Sequence, residues 1–334
     1  MTFTETMLKK AHLSQKSIVL PEATEEKILL AARKVADIGA ARPLLLGNPD
    51  EISAAANNAD ISLTGIEVVD SGDEAFKTKL ISDFLAVSDD FSEKALNRKF
   101  REPLNIAAAM VRVGYADSLG AGLTRSTGEV ILTAQLLIGM QEGISTVSSI
   151  GMAEFPNFDG PEGNMLCFTD CAVNMKPSSA ELADIAITSA HTVRALLGWE
   201  PRVAMLSFST KGSGEHEDVE KVRKAVEIAK SRKPDLLIDG ELQLDAAIIP
   251  EVAKKKIRDD SPVAGRANII VFPDLGAGNI GVKMAQIFGG AVAHGPLLQG
   301  FAKPVTDFSR SAPVEEIVGN LVMLAVYVQN QQSA

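Results

Sequence analysis

Short runs of β-branched and other apolar residues alternate along this chain with stretches whose apolar positions repeat at helical spacing. That alternation constrains the fold more than any other feature. Strand-like runs stand at SIVL (17–20), RPLLLG (42–47), IEVVD (66–70), ADSLGAG (116–122), TVSSI (146–150), MLCFTD (165–170), RVAMLSF (202–208), DLLIDG (235–240), ANIIVF (267–272) and AVAHG (291–295). Helical patterns are clearest at 24–38, 127–140, 179–197, 215–231, 277–289 and 313–329. The expectation is an α/β protein with mostly parallel strands, because a parallel pair needs a crossover to return the chain. There is no internal repeat and no low-complexity tract. With 334 residues the chain exceeds one ordinary core and suits two domains. A boundary is expected near QEGIS (141–145), after the 127–140 helix.

Composition narrows the function classes. Hydrophobic residues make up 46% and charged residues 23%, an ordinary globular balance. No apolar run reaches the roughly 18 residues that spanning a bilayer takes. The N-terminal MTFTETMLKKAHLSQKS has no apolar stretch after its charges, so no secretory signal and no membrane partner are expected. Cys167 and Cys171 are the only cysteines, which excludes a disulfide framework and fits a reducing cytoplasm. The net charge of −10 argues against a nucleic-acid surface. It also means that an anionic ligand must meet positive groups gathered locally, because the long-range field repels it.

Three stretches follow expected strands and carry unusual chemistry: SFSTKGSG after 202–206, FPDLGAGN after 267–271 and GPLLQG after 291–295. Ligands bind open parallel sheets at the C-terminal ends of their strands, which puts these loops on one rim. In SFSTKGSGEHED (207–218), two glycines allow close backbone approach, hydroxyls donate, and a helix start follows. That composition suits either an anion or an ordinary strand-to-helix turn; it is not a Walker loop. FPDLGAGNIGVK (272–283) contains G-x-G-x-x-G at Gly276, Gly278 and Gly281, but no acidic residue ends a following strand, so it is weak evidence for a dinucleotide. In KPVTDFSRSAPVEEIV (303–318), Pro313 opens a helix and Glu315 and Glu316 suit its first turn. The dipole does not explain Arg310, whose fork suits a phosphate or carboxylate. Cys167 and Cys171 lack nearby histidine partners, and the four histidines have no ligand spacing, so no metal is expected.

DCAVN (170–174), SFSTKGS (207–213), DGELQLDAA (239–247), GPLLQG (295–300) and KPVTDFSR (303–310) together resemble the phosphate acetyl/butyryltransferase family, and phosphate acetyltransferase within it. The likeness covers nearly the whole chain and is densest from about 145 to 318. It implies a two-domain, three-layer α/β/α fold like that of isocitrate and isopropylmalate dehydrogenases, with an interdomain active-site cleft. The first domain would comprise 1–142 plus 305–334, with the C-terminal helix returning, and the second 143–304. The implied reaction is acetyl-CoA + phosphate ⇌ acetyl phosphate + CoA, without metal or covalent acyl-enzyme. Coenzyme A is then a substrate and no cofactor is bound. The resemblance further implies a homodimer with acetate kinase as pathway neighbour. Glu316 would take the CoA thiol proton, with Ser309 and Arg310 holding substrate. Phosphate or acyl phosphate would meet Arg310, Thr210, Lys211, Gly212, Ser213, Ser126 and Thr127, and CoA would meet Ser309, Arg310, Asn279 and Lys283.

This chain departs from the family pattern at several positions. The family usually has aspartate at Glu316, Gly-Cys-Ser at Ser311-Ala312-Pro313, arginines at Leu132 and near Leu85, asparagine at Gly276 and more often histidine at Arg125. The absent arginines favour a less basic site, for which Arg125 would partly compensate. Two other readings stay open: transfer of propionyl or butyryl groups, because the acyl pocket is not legible in the sequence, and a catalytically weak acyl-CoA-binding regulatory homologue, which the missing arginines and the Glu316 exchange favour. A thiol of pKa about 8.5 and a glutamate of about 4.3 differ by roughly 4 units, so full proton transfer is uphill by about 6 kcal/mol. Burial could raise the glutamate, whereas the helix dipole opposes this; transfer concerted with attack is therefore expected.

Overall fold

A computed structural model describes residues 3–12 and 15–331. They divide into two compact units, one running up to Glu142 and resuming at Phe301, the other spanning Gly143–Gly300.

The first unit begins α1 (Phe3–Ala11), β1 (Ser17–Leu20), α2 (Glu26–Asp37), β2 (Arg42–Gly47), α3 (Pro49–Asn58) and β3 (Glu67–Asp70). It continues α4 (Glu74–Leu85), α5 (Glu93–Lys99), α6 (Pro103–Val113), β4 (Ser118–Ala121) and α7 (Thr127–Leu137). The second unit holds β5 (Ser148–Glu154), β6 (Met165–Thr169), α8 (Ser179–Leu197), β7 (Arg202–Leu206), α9 (Glu217–Arg232) and β8 (Leu237–Leu242). After these come α10 (Leu244–Ile248), α11 (Pro250–Lys256), β9 (Ile269–Val271), α12 (Leu275–Gly289) and β10 (Val292–Gln299). The chain then returns to the first unit as β11 (Val305–Asp307) and α13 (Val314–Asn330).

In the first unit the strand order is β3-β2-β1-β4-β11, all parallel. All four residues of β1 are buried, as are all four of β4, as expected of strands covered on both faces by crossover helices. The helix starts are written locally. Asn48 accepts from the N–H groups of Asp50 and Glu51 ahead of Pro49, and Ser126 forms a reciprocal capping box with Glu129. Helix α13 buries Ile317, Leu321, Leu324 and their neighbours, and it packs on α1 and α2.

In the second unit the order is β10-β5-β6-β9-β7-β8. Strands β6, β9, β7 and β8 pair in parallel, while β5 is antiparallel to both β6 and β10. The expectation of mostly parallel strands therefore holds for the first unit and for one side of the second. Residues 155–164, which join β5 to β6, contain no crossover helix, so the chain turns straight back. GPLLQG is corrected from a loop to the second half of β10: the strand runs through Gln299 and accommodates Pro296 at a register shift between His294 and Leu297.

Helix α8 is nearly enclosed, from Leu182 to Leu196, and starts with a Ser178–Glu181 capping box. Helix α12 is its opposite, burying only Gly278. A Cβ at Gly278 would lie 2.5 Å from the Asp170 carbonyl oxygen, so this glycine serves close packing of α12 on the 170–171 backbone. Cys167 is buried; Cys171 is partly buried, and burial together with the charge of Asp170 pushes its thiol up to about 12.

Candidate active site

In the first unit, β11 lies beside β4 with Asp307 opposite Ala121, and the Phe308 N–H donates to the Ala121 carbonyl at 2.7 Å. The Phe308 ring is buried against Gly120, where a Cβ would come within 2.9 Å of it. The chain is thus fixed up to 308 and then emerges as the exposed turn Ser309-Arg310-Ser311. The Ala312 N–H closes the turn onto the Ser309 carbonyl at 2.9 Å, and the Ser309 and Ser311 hydroxyls lie 3.1 Å apart. Lys27 donates to the Ala312 carbonyl at 2.9 Å, anchoring the entry to α13.

The two glutamates of that helix differ. Glu315 pairs with Lys34 at 2.7 Å, which holds its pKa below the usual carboxylate range. Glu316, in the same first turn, has its pKa pushed up by desolvation. Arg310 forms no ion pair with any described residue. Its charge adds to the lowering of the Glu129 pKa, after the larger contributions of the Ser126 N–H and hydroxyl and of Arg125. The Thr127 hydroxyl donates to Asp307. Ser126, Thr127, Ser309, Arg310 and Glu316 all belong to the first unit, and the Thr127–Asp307 bond joins the start of α7 to the strand end that precedes Ser309.

The hydroxyls of Ser126 and Thr127 are both engaged, the first with Glu129 at 2.8 Å and the second with Asp307. What α7 offers an anion is its N-terminal dipole and the first-turn N–H groups of Thr127 and Gly128, which as N1 and N2 have no intrahelical acceptor.

The second unit carries the loop between β7 and α9. The Glu241 carboxylate sits inside it, accepting from the Ser209 hydroxyl at 2.8 Å, the Gly212 N–H at 2.9 Å and the Arg223 guanidinium at 2.8 Å. Burial alone would raise this acid, but Arg223, Gly212 and Ser209 outweigh it and bring the pKa down to about 2. The Thr210 N–H donates to the Ser213 hydroxyl at 2.9 Å, and the Lys211 ammonium pairs with Asp239. On α12, Asn279 donates to the Cys171 carbonyl at 3.4 Å, and Lys283 stands one turn further along, exposed.

Sequence reasoning passed over several acids that organise these loops. Glu241 lies within DGELQLDAA, Asp307 within KPVTDFSR and Asp170 within DCAVN, each in a motif that had been picked out without a role for the acid. Asp170 accepts from the N–H groups of Ala172, Val173 and Asn174 at 2.8–3.2 Å. Glu22 was not singled out at all; its signal is an acid two residues beyond a buried strand.

Residues 2–326 match the family model described as phosphate acetyl/butaryl transferase. A phosphate acetyltransferase of Thermoanaerobacterium thermosaccharolyticum is 44% identical, over 98% of this chain and 100% of that one. The crystal structure of a phosphotransacetylase from Streptococcus pyogenes superposes with a TM-score of 0.90 at 35% identity, covering 98% of this chain and 99% of the other. A 4-hydroxythreonine-4-phosphate dehydrogenase from Klebsiella pneumoniae shares the fold alone, with a TM-score of 0.55 at 13% identity over 94% of this chain and 99% of that one.

Proposed function

Because the chain belongs to the phosphate acetyl/butaryl transferase family, we infer that it moves an acetyl group reversibly between coenzyme A and inorganic phosphate. Acetyl-CoA and phosphate give acetyl phosphate and CoA. The mechanism proposed is direct transfer with both substrates bound. In the direction of thioester synthesis, the CoA thiol proton passes to the Glu316 carboxylate and the sulfur attacks the acetyl carbonyl carbon of acetyl phosphate. The bond from that carbon to the phosphoryl oxygen then breaks, and inorganic phosphate leaves in the grip of Arg310. The reverse direction returns the proton from Glu316 to the departing sulfur. Ser309 orients the thiol or donates to the oxygen that gains charge. Holding both substrates in place supplies much of the acceleration.

The observation that carries this reading is Arg310: a guanidinium without an ion-pair partner among the described residues, in a turn fixed on both sides, near the start of a helix. The raised pKa of Glu316 supports its role as base, since it narrows the gap to the thiol. From the 210–213 loop, Ser213 offers phosphate an exposed side chain and Lys211 the one ammonium N–H beyond its bonds to Asp239 and the Gly240 carbonyl, while Thr210 and Gly212 use their N–H groups to hold the loop's shape. Asn279 and Lys283, one turn apart on α12, suit the phosphate-rich part of CoA. A homodimer, dehydrogenase-like domains with an active site between them, a cytoplasmic location and acetate kinase as pathway neighbour follow from the resemblance and belong to the same proposal.

The test is thiol release from acetyl-, propionyl- and butyryl-CoA with and without phosphate, in wild type and Arg310→Ala. The expected result is phosphate-dependent release that favours acetyl-CoA and is lost in the variant. Binding of acetyl-CoA without phosphate-dependent turnover would replace this reading with the regulatory one.

A further inference from the structure

Glu22 follows β1 at a point where its side chain is buried, 8% exposed. Its carboxylate fills the concavity made by the loop between β4 and α7. One oxygen accepts the N–H groups of Gly122 and Leu123, each at 2.9 Å. The other accepts the Thr124 N–H at 2.7 Å, the Thr124 hydroxyl at 2.7 Å and the Arg125 N–H at 3.1 Å. Four consecutive backbone donors and one hydroxyl converge on a single carboxylate, the arrangement by which a backbone nest binds an anion. Here the anion is the chain's own.

The far side of this loop is equally constrained. Gly122 has φ +116°, and a Cβ there would stand 2.7 Å from the Phe308 nitrogen and 2.8 Å from its carbonyl oxygen. The loop is therefore clamped between Glu22 and the strand end that carries Ser309 and Arg310. It leads without a break into Ser126, which caps α7, and Thr127, whose hydroxyl holds Asp307 two residues before Ser309.

We propose that Glu22 is a positioning residue for phosphate: an internal carboxylate that takes an anion's place in the 122–125 nest and so fixes the loop from which Thr127 ties down the Ser309–Arg310 turn. Substrate phosphate does not enter this nest. It meets Arg310 at a turn whose position the nest sets. The inference rests on the reading of Arg310 given above.

The experiment measures phosphate-dependent thiol release from acetyl-CoA, with separate KM values for the two substrates, and thermal melting. Glu22→Gln keeps the shape but turns an NH₂ group toward N–H donors. It is expected to raise the KM for phosphate roughly tenfold or more while the KM for acetyl-CoA stays within about threefold. Glu22→Ala removes the anion and leaves room for acetate. Added acetate is expected to raise its melting temperature and recover much of the lost kcat/KM, while chloride at equal ionic strength does neither. Thr127→Val lies on an exposed residue and cuts the tie to Asp307 without touching the nest; it is expected to raise the KM for phosphate as well. A folded Glu22→Gln with unchanged KM for phosphate, or an unchanged Thr127→Val, overturns the proposal. So does a Glu22→Ala protein that acetate leaves unaltered in both readouts. Wild type and Arg310→Ala separate the two levels. If wild type shows no phosphate-dependent release, the reading of the site fails; if that control behaves and only the Glu22 variants are silent, this inference alone fails.

Discussion

Glu315 and Glu316 are neighbours in one helical turn, yet their surroundings give them different work. The first is paired with Lys34; the second is desolvated and held toward its neutral form. If Glu316 is the base, Glu316→Gln should lower kcat by about 10²- to 10⁴-fold with little change in the KM for acetyl-CoA. Steady-state kinetics decide this, and wild-type turnover in the variant would remove the role. Asp307 makes a second prediction. Burial, followed by the negative charge of Glu22, raises it to about 6 against the hydrogen bond from Thr127, and its Oδ1 is buried without a hydrogen-bond partner among the described residues. A folded-state pKa above the unfolded value means that the folded protein binds the extra proton between about pH 4 and 6. The stabilisation is complete below that window and is lost as pH rises through it. Asp307→Asn should match wild type near pH 4 and exceed it at pH 7 by something on the order of 3 kcal/mol. Urea titrations across that range measure the difference, and a constant offset would contradict it.

At the scale of elements, the loop between β7 and α9 is built around Glu241, whose pKa of about 2 gives the opposite pH dependence. Its contribution is present above the unfolded value and lost as pH falls toward 2. Glu241→Gln leaves Arg223 without its carboxylate and should cost about 3 kcal/mol or more at neutral pH, with the loss shrinking in acid. An unchanged denaturation midpoint would show that the carboxylate does not organise the loop. The long, strongly patterned elements could be read in the sequence: α8, with its Ser178 cap, and the buried runs of β1 and β2 lie where periodicity puts them. Several of the shorter ones could not. Helices α5, α10 and α11 have seven, five and seven residues, fewer than a periodic pattern needs. Strand β11 has only three, and β10 carries a proline that reads as a loop.

On the scale of the whole molecule, the first unit is discontinuous and the second continuous. Strand β11 completes the first unit's sheet beside β4, and α13 buries apolar residues from Ile317 to Tyr327 there. A fragment of residues 143–300 should therefore fold alone, with a cooperative thermal transition in circular dichroism. A fragment of residues 1–142 should not, because it exposes the face that α13 covers. The reverse outcome would contradict this division. The alternation of runs determined an α/β protein, and five motifs in order were enough to indicate the family. Ser309 and Arg310 could be picked out because a guanidinium beside a helix start in a chain of net charge −10 needs a reason. Which donors are already spent was decided only by tertiary structure. Glu22 and the 122–125 loop lie about a hundred residues apart, and Glu241 and Gly212 lie 29 apart. Backbone N–H groups carry no signature in a sequence, so only folding reveals which carboxylate they hold.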